Sequence, residues 1–307
     1  MTHGGSRPWS GGCAGRMGQA GLVSGLQCRI PLTRNRELLN PVRFILRMMA
    51  IILWIPAGLI GVCLFPLLPL KWRLWMNHHW SRCLMWFCGV RIVVQGSPVM
   101  RDPVFWVANH VSWVDIFVLN SVRTTSFVAK SDIRSWPVIG WLVAGAGTVF
   151  IARGQRHAIR AVGEQMKQRF ARGEVVGLFP EGTTSPGFDV SYFHTSLFEP
   201  AIRAGVDIQP VALRFYHRGT RSDRIAFVGE QTLAHNVWCL LSAGESVVEA
   251  EFLPLLDASQ CQALGRAQVA ERMHAAVRAA VRKGLEDDTA HAEDAAGRPE
   301  HKQGLVK

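Results

Sequence analysis

Val104-Phe105-Trp106-Val107-Ala108-Asn109-His110-Val111-Ser112-Trp113-Val114-Asp115 joins an apolar, strand-like run to a helix-like one that continues through Ile116 to Leu119. A strand that turns directly into a helix is the repeating unit of an α/β sheet. His110 and Asp115 stand five residues apart across the turn. On one continuous helix that step would turn their side chains roughly 140° apart, at about 100° per residue, and they could not meet. With His110 ending the strand and Asp115 in the first helical turn, they can. The carboxylate then holds the imidazole in one tautomer and leaves its other nitrogen free to take a proton. The same residues also have a plainer reading. Ser112-x-x-Asp115 is a helix-start pattern, in which Ser112 is a cap, Asp115 satisfies orphan amides and His110 is an ordinary loop residue.

Outward from this junction the pattern keeps alternating. Strands are expected near 91–95, 104–108, 126–129, 148–151, 175–179 and 208–214, with two more near 224–229 and 246–253. Helices are expected near 113–121, 137–145, 157–171, 196–204 and 259–284. The clearest is 157–171, with Ile159, Val162, Met166 and Phe170 on one face and Gly173 past its end. The expected class is α/β, a mixed, mostly parallel sheet with helices on both faces, preceded by an N-terminal membrane-associated helical segment. The expected divisions are a disordered extension over 1–38, anchoring helices over 39–92, a catalytic domain over 93–285 and a disordered tail over 286–307.

The anchoring segment rests on Met48 to Leu70, 23 residues without a charge. As one helix they reach about 34 Å, enough for a ~30 Å hydrocarbon core. Pro56, Pro66 and Pro69 interrupt the run, and basic residues flank both ends (Arg43 and Arg47, Lys71 and Arg73). That symmetry suits a hairpin in one leaflet as well as a span. Trp72, Trp75, Trp80 and Trp86 follow in a stretch suited to a membrane interface. The net charge of +11, with eleven Trp against two Tyr, fits an anionic membrane surface. No nucleic-acid motif and no Lys/Arg run of five or more is present, so nucleic acid is not an expected partner. The seven cysteines include no C-x-x-C pair and read as small buried hydrophobes. Adjacent His78 and His79 point different ways on a helix, and no metal is expected.

Three further blocks follow in order. Gly147-Thr148-Val149-Phe150-Ile151-Ala152-Arg153 is a strand ending in arginine. Phe179-Pro180-Glu181-Gly182-Thr183-Thr184-Ser185 is a strand end breaking into a tight polar loop. Ile208-Gln209-Pro210-Val211-Ala212-Leu213 is an apolar run with a proline. With the Asn109–Asp115 block, these resemble the glycerolipid acyltransferase family, of the 1-acylglycerol-3-phosphate acyltransferase type, over roughly residues 100–215.

The resemblance implies transfer of a fatty acyl group from acyl-carrier protein or acyl-CoA, with no other cofactor, to the free hydroxyl of a lysolipid. The leading acceptor is 1-acyl-sn-glycerol-3-phosphate, giving phosphatidic acid. It also implies the inner membrane, with the catalytic domain facing the cytoplasm. His110 is then the general base and Asp115 its orienting partner. Asn109, Arg153, Glu181, Gly182 and Thr183 are the candidate substrate-binding residues. Arg153 can clamp a phosphate or carboxylate bidentately. The loop amides around Gly182 can face an anion, while Glu181 organises the loop or binds the acceptor hydroxyl.

Two departures from the family pattern bear on substrate. The acidic residue that often precedes the motif arginine is Ala152 here. Where acyltransferases acting on lysophosphatidic acid carry Phe, basic residues and Gly, this chain has Phe193-His194-Thr195-Ser196. Bacterial enzymes acting on lyso-ornithine lipid are similar in lacking that basic-Gly pair, so lyso-ornithine lipid is the second acceptor.

Other classes fit less well. Gly177-x-x-x-x-Gly182-Thr183-Thr184 has the spacing of a nucleotide-binding loop but lacks its lysine. No G-x-S-x-G elbow supports a hydrolase working through an acyl-enzyme. A non-catalytic membrane-binding protein would not need His110, Asp115, Arg153 and Glu181 together.

Overall fold

A computed structural model describes residues 41–135, 139–151 and 156–285. Two helices come first, α1 (Pro41–Leu64) and α2 (Leu70–Cys88). Then follow β1 (Val90–Gly96), β2 (Val104–Ala108), α3 (Val114–Asn120), β3 (Thr125–Lys130), α4 (Ile139–Gly145), β4 (Val149–Ile151), α5 (Arg156–Ala171) and β5 (Val175–Leu178). The chain continues through α6 (Phe198–Ala204), β6 (Asp207–His217), β7 (Thr220–Arg221), α7 (Leu233–Ser242), β8 (Ser246–Phe252) and α8 (Ala258–Arg282).

The strands lie in the order β1-β8-β6-β2-β5-β3-β4, with β7 paired to β6. All pairings are parallel except β6 with β8 and β6 with β7. β2 is central, between β5 and β6, and all five of its residues are buried. That explains its unbroken apolar run, because a parallel strand covered on both faces has no polar side. Its side chains alternate between two cores. Val104, Trp106 and Ala108 pack with Leu84, Met85, Val118, Leu240 and Leu241 from α2, α3 and α7. Phe105 and Val107 pack with Val162, Met166, Phe198, Ile202 and Val277 from α5, α6 and α8.

The N-terminal helices belong to the compact unit of the sheet. The chain turns at 65–67 instead of running as one helix over 48–70, which Pro66 and Pro69 explain. α1 has two faces. Phe44, Met48, Ile51 and Trp54 pack on the core. Val42, Ile45, Leu46, Met49, Ile52, Leu53, Ile60 and Leu64 are exposed. Pro41–Leu67 is long and apolar enough to cross a bilayer. On α2, Trp72, Trp75, His79, Arg82 and Trp86 form an exposed stripe at helical spacing. Arg47 ties α1 to the body by donating to the carbonyls of Leu241 (3.0 Å) and Ala243 (2.6 Å) at the end of α7, where a cation suits the helix dipole.

Two expectations are corrected. The stretch 224–229 is not a strand. Ile225 and Ala226 are buried, but their carbonyls accept from the Asn236 amide and the Phe227 N–H donates to Val111, so no ladder forms. Between it and β8 lies α7, a helix absent from the expected set. Thr232 caps it by accepting from the His235 N–H. The expected helix 137–145 is described from Ile139 onward.

Candidate active site

β2 ends at Ala108 and α3 begins at Val114, so the His110–Asp115 pair straddles the strand-to-helix turn at the carboxyl edge of the sheet. Ligand sites of open α/β sheets lie at this edge. His110 Nδ1 lies 2.7 Å from Asp115 Oδ2. The same oxygen accepts the amides of Val111 (2.7 Å) and Ser112 (3.0 Å). Asp115 therefore does both jobs offered by the sequence, satisfying orphan amides and orienting the imidazole. Ser112 does not cap α3, and its buried hydroxyl has no partner among the described residues. Asp115 is fully buried, whereas the His110 side chain keeps 20% of its surface exposed. The ring nitrogen Nε2 makes no hydrogen bond to a described residue.

Glu181 comes from the loop after β5. Its Oε1 accepts the His110 amide (2.7 Å) and its Oε2 the Ser191 amide (2.9 Å). The carboxylate thus ties the histidine turn to the loop ahead of Phe193. Burial pushes its pKa above the ordinary carboxylate range, opposed by these two amide bonds. Gly182 has φ 69° and closes the turn with its N–H on the Phe179 carbonyl, a conformation that favours glycine. Thr183 is exposed. The Asn109 side chain is buried and engaged at both ends by Leu213, donating to its carbonyl (3.0 Å) and accepting its amide (2.7 Å). It pins the end of β2 to β6. Arg153 and Ala152 lie outside the described residues.

Phe179, Thr184 and Ser185 stand in the quoted loop block without an assigned role, and Asn236 carried no readable signal. The Phe179 ring stacks on His110. Ser185 donates its amide to the His110 carbonyl at 2.8 Å. The Thr184 hydroxyl bonds the Phe227 carbonyl. Buried Asn236 accepts from the Trp113 indole (2.9 Å) while holding the 225–226 carbonyls. The unexpected α7 therefore braces the turn that carries His110. Gly177, half of the nucleotide-loop imitation, has a packing reason, since a Cβ there would come within 2.5 Å of the Phe127 ring.

The loop behind Glu181 is clamped from α8 and β7. Arg221 donates to the Gly187 carbonyl (2.6 Å), and a nitrogen of His274 lies 3.1 Å from the Val190 carbonyl. Arg278 grips Asp189 with two bonds, 2.7 and 2.8 Å. That guanidinium holds the Asp189 carboxyl at about 2, against an ordinary 3.8. A depressed folded-state value contributes stability above the ordinary pKa and loses it as pH falls toward the folded one. Asp189→Asn should therefore lower Tm modestly at neutrality, because the pair is half exposed, and flatten the dependence of Tm on pH between about 4 and 2, so that the variant and the parent converge at the acid end. An unchanged acid slope would show that the pair adds nothing.

The four polar side chains His110, Asp115, Asn109 and Glu181 are thus brought to one strand end, with the base candidate accessible and its partners buried. Residues 91–214 match the acyltransferase family. A lyso-ornithine lipid O-acyltransferase of Pseudomonas aeruginosa is 37% identical over 213 residues, 69% of this chain and 80% of that protein. A 1-acyl-sn-glycerol-3-phosphate acyltransferase of Neisseria gonorrhoeae is 35% identical over 189 residues, 61% of this chain and 73% of that one. The crystal structure of the 1-acyl-sn-glycerophosphate acyltransferase of Thermotoga maritima has the same fold, with a TM-score of 0.59 at 21% identity over 86% of this chain and 98% of that one. From its motifs, its relatives and its sheet, this chain belongs to the acyltransferase family.

Proposed function

We propose that the protein is a membrane-associated lysolipid O-acyltransferase in which His110 is the general base. The observation that carries this is the 2.7 Å contact of His110 Nδ1 with a buried carboxylate, on a ring whose other nitrogen is left for substrate. The acceptor hydroxyl gives its proton to Nε2 as its oxygen bonds to the thioester carbonyl carbon. The tetrahedral oxyanion collapses, the carbon–sulfur bond breaks, and the proton passes to the departing thiolate. The products are an ester and a free thiol. The turn at Gly182 is the assigned neighbour of the oxyanion, and Arg153 the assigned clamp for the acceptor's anion.

The donor is acyl-carrier protein or acyl-CoA, whose cytoplasmic supply supports a catalytic domain facing the cytoplasm at the inner membrane. The exposed apolar face of α1 and the tryptophan stripe of α2 support the membrane contact.

For the acceptor we propose lyso-ornithine lipid, which reverses the order in which the sequence offers the two. Relatives with that name match more of this chain, and His194 and Ser196 stand exposed in the place of the basic-Gly pair. A monoanionic carboxylate is answered by one guanidinium, whereas a dianionic phosphate favours two permanent cations. Lysophosphatidic acid remains the second reading, on the strength of the Neisseria relative. Assay of the purified full chain with both donors and both acceptors decides. Higher kcat/KM on lyso-ornithine lipid supports the first reading, higher kcat/KM on lysophosphatidic acid the second. Inactivity on every lysolipid removes both.

Asp115→Asn offers a test of the pair. An amide oxygen in the place of Oδ2 keeps the three bonds, but its NH2 then fills the position of Oδ1, which has no partner among the described residues. The expected result is a smaller rate loss than for His110→Ala, with a stability loss of about 1–3 kcal/mol for the buried unpaired donors. Equal rate losses would mean that the carboxylate does more than orient the ring.

A further inference from the structure

Two phenyl rings lie in line with the His110 imidazole. Phe179 stacks on it with centroids 4.2 Å apart and planes 10° apart, and Phe127 stacks on Phe179 at 5.3 Å and 2°. The three rings come from the ends of β2 and β5 and from β3, which are neighbours only because β5 lies between the other two strands. Gly177 gives Phe127 the room to lie flat. Both phenyl rings are buried, at 8% and 2% exposure, so one face of the imidazole is dry and aromatic. The charged groups facing His110 among the described residues are Asp115 of α3, on the Nδ1 edge, and Glu181, on the main-chain amide. From β3 the facing group is the apolar Phe127, and Ser185 adds only bonds to the His110 carbonyl.

We propose that Phe179 is a positioning residue for the base, whose ring face stabilises the imidazolium that His110 becomes during acyl transfer. This rests on the reading of His110 as general base. Between taking the proton from the acceptor oxygen and passing it to the departing sulfur, the imidazole carries a positive charge. Asp115 meets that charge at one edge. The negative face of an aromatic quadrupole meets it from below, within the ~6 Å over which a cation is attracted to a ring centroid. A phenylalanine at this point of the loop does two things, since its packing fixes the plane of the imidazole and its electrons favour the protonated form. Packing alone would be satisfied by another apolar side chain. The electronic role would not.

The test uses the full chain with Phe179→Leu, and separately with 4-fluoro- or 3,5-difluorophenylalanine at position 179. Fluorine drains the ring face with little change of shape. Two readouts are compared with the parent, the acid limb of the kcat/KM pH profile and the NMR titration of the His110 imidazole, identified by its loss in His110→Ala. Weakening the ring face withdraws support from the charged ring, so both readouts should move to lower pH, whereas a packing role alone would leave the fluorinated proteins like the parent. For leucine the plateau rate should also fall about threefold. The fluorinated proteins should fall between, in order of fluorine count. Folded variants that titrate as the parent does would overturn the proposal. If the leucine protein does not fold, the fluorinated pair decides alone. If His110→Ala retains turnover, the base reading fails, while the NMR titration still reports whether Phe179 acts on the ring.

Discussion

His110→Ala should lower kcat/KM at least about 10²-fold, the usual worth of a general base, in a protein that stays folded. Folding should survive because the substitution removes little that the turn needs. Glu181 bonds the main-chain amide of residue 110, which alanine keeps. Asp115 retains the Val111 and Ser112 amides on Oδ2, so its buried carboxylate is not stranded. The loss falls on the ring contact with Phe179 and on the proton acceptor. Release of free thiol from the acyl donor, followed alongside circular dichroism, separates the two. Near-normal turnover in a folded protein would remove His110 from the mechanism.

Arg214→Ala should be among the most destabilising single changes, with no direct effect on chemistry. Arg214 is 4% exposed and bonds Glu249 (3.2 Å), Glu251 (2.5 Å), Gln95 (3.2 Å) and the Ala280 carbonyl (2.8 Å). One guanidinium thus joins β6 to β8, β1 and α8. Alanine leaves two carboxylates on one face of β8 without their cation. Breaking a buried pair costs about 3–5 kcal/mol, and because both glutamates keep some contact with water the lower figure, about 3 kcal/mol, is expected. For a domain of this size that lowers Tm by roughly 6 °C or more. Arg214→Met combined with Glu249→Gln and Glu251→Gln should recover part of the loss, since a whole charged set can be replaced more cheaply than halved. A Tm within a degree of the parent's for Arg214→Ala would mean that the network is mostly solvated.

What was legible in the sequence was local. β2 could be read because both its faces are buried and its apolar run is unbroken. α5 could be read because Val162, Met166 and Phe170 recur at the helical period and all three are buried. The His110–Asp115 contact could be read because five residues suffice to define it. The serine-first capping pattern misled, because the aspartate carboxylate takes the turn amides itself. The run at 225–228 misled for a different reason. Apolar character reports burial, and Ile225 and Ala226 are buried in a loop whose backbone bonds go to Asn236, Val111 and Thr184 rather than to a neighbouring strand. α7 was hidden because a polar residue, Asn236, occupies its most buried face. The stack of His110, Phe179 and Phe127 has no sequence period, since it depends on β5 being inserted between β2 and β3.

The two-sidedness of α1 has a practical consequence for handling the protein without detergent. Deleting α1 and α2 would strip Leu84, Met85 and Cys88 from the core and leave Leu241 and Ala243 without their arginine. Removing the helix to gain solubility would therefore forfeit the folded state. The outward positions are a separate surface. Leu46, Leu53 and Ile60 can take charged side chains without disturbing Phe44, Ile51, Trp54 or Arg47. A detergent-free enzyme is thus a problem of repainting one side of a helix, and the side to leave untouched is the one that reaches, through Arg47, α7 and Asn236, to the turn carrying His110.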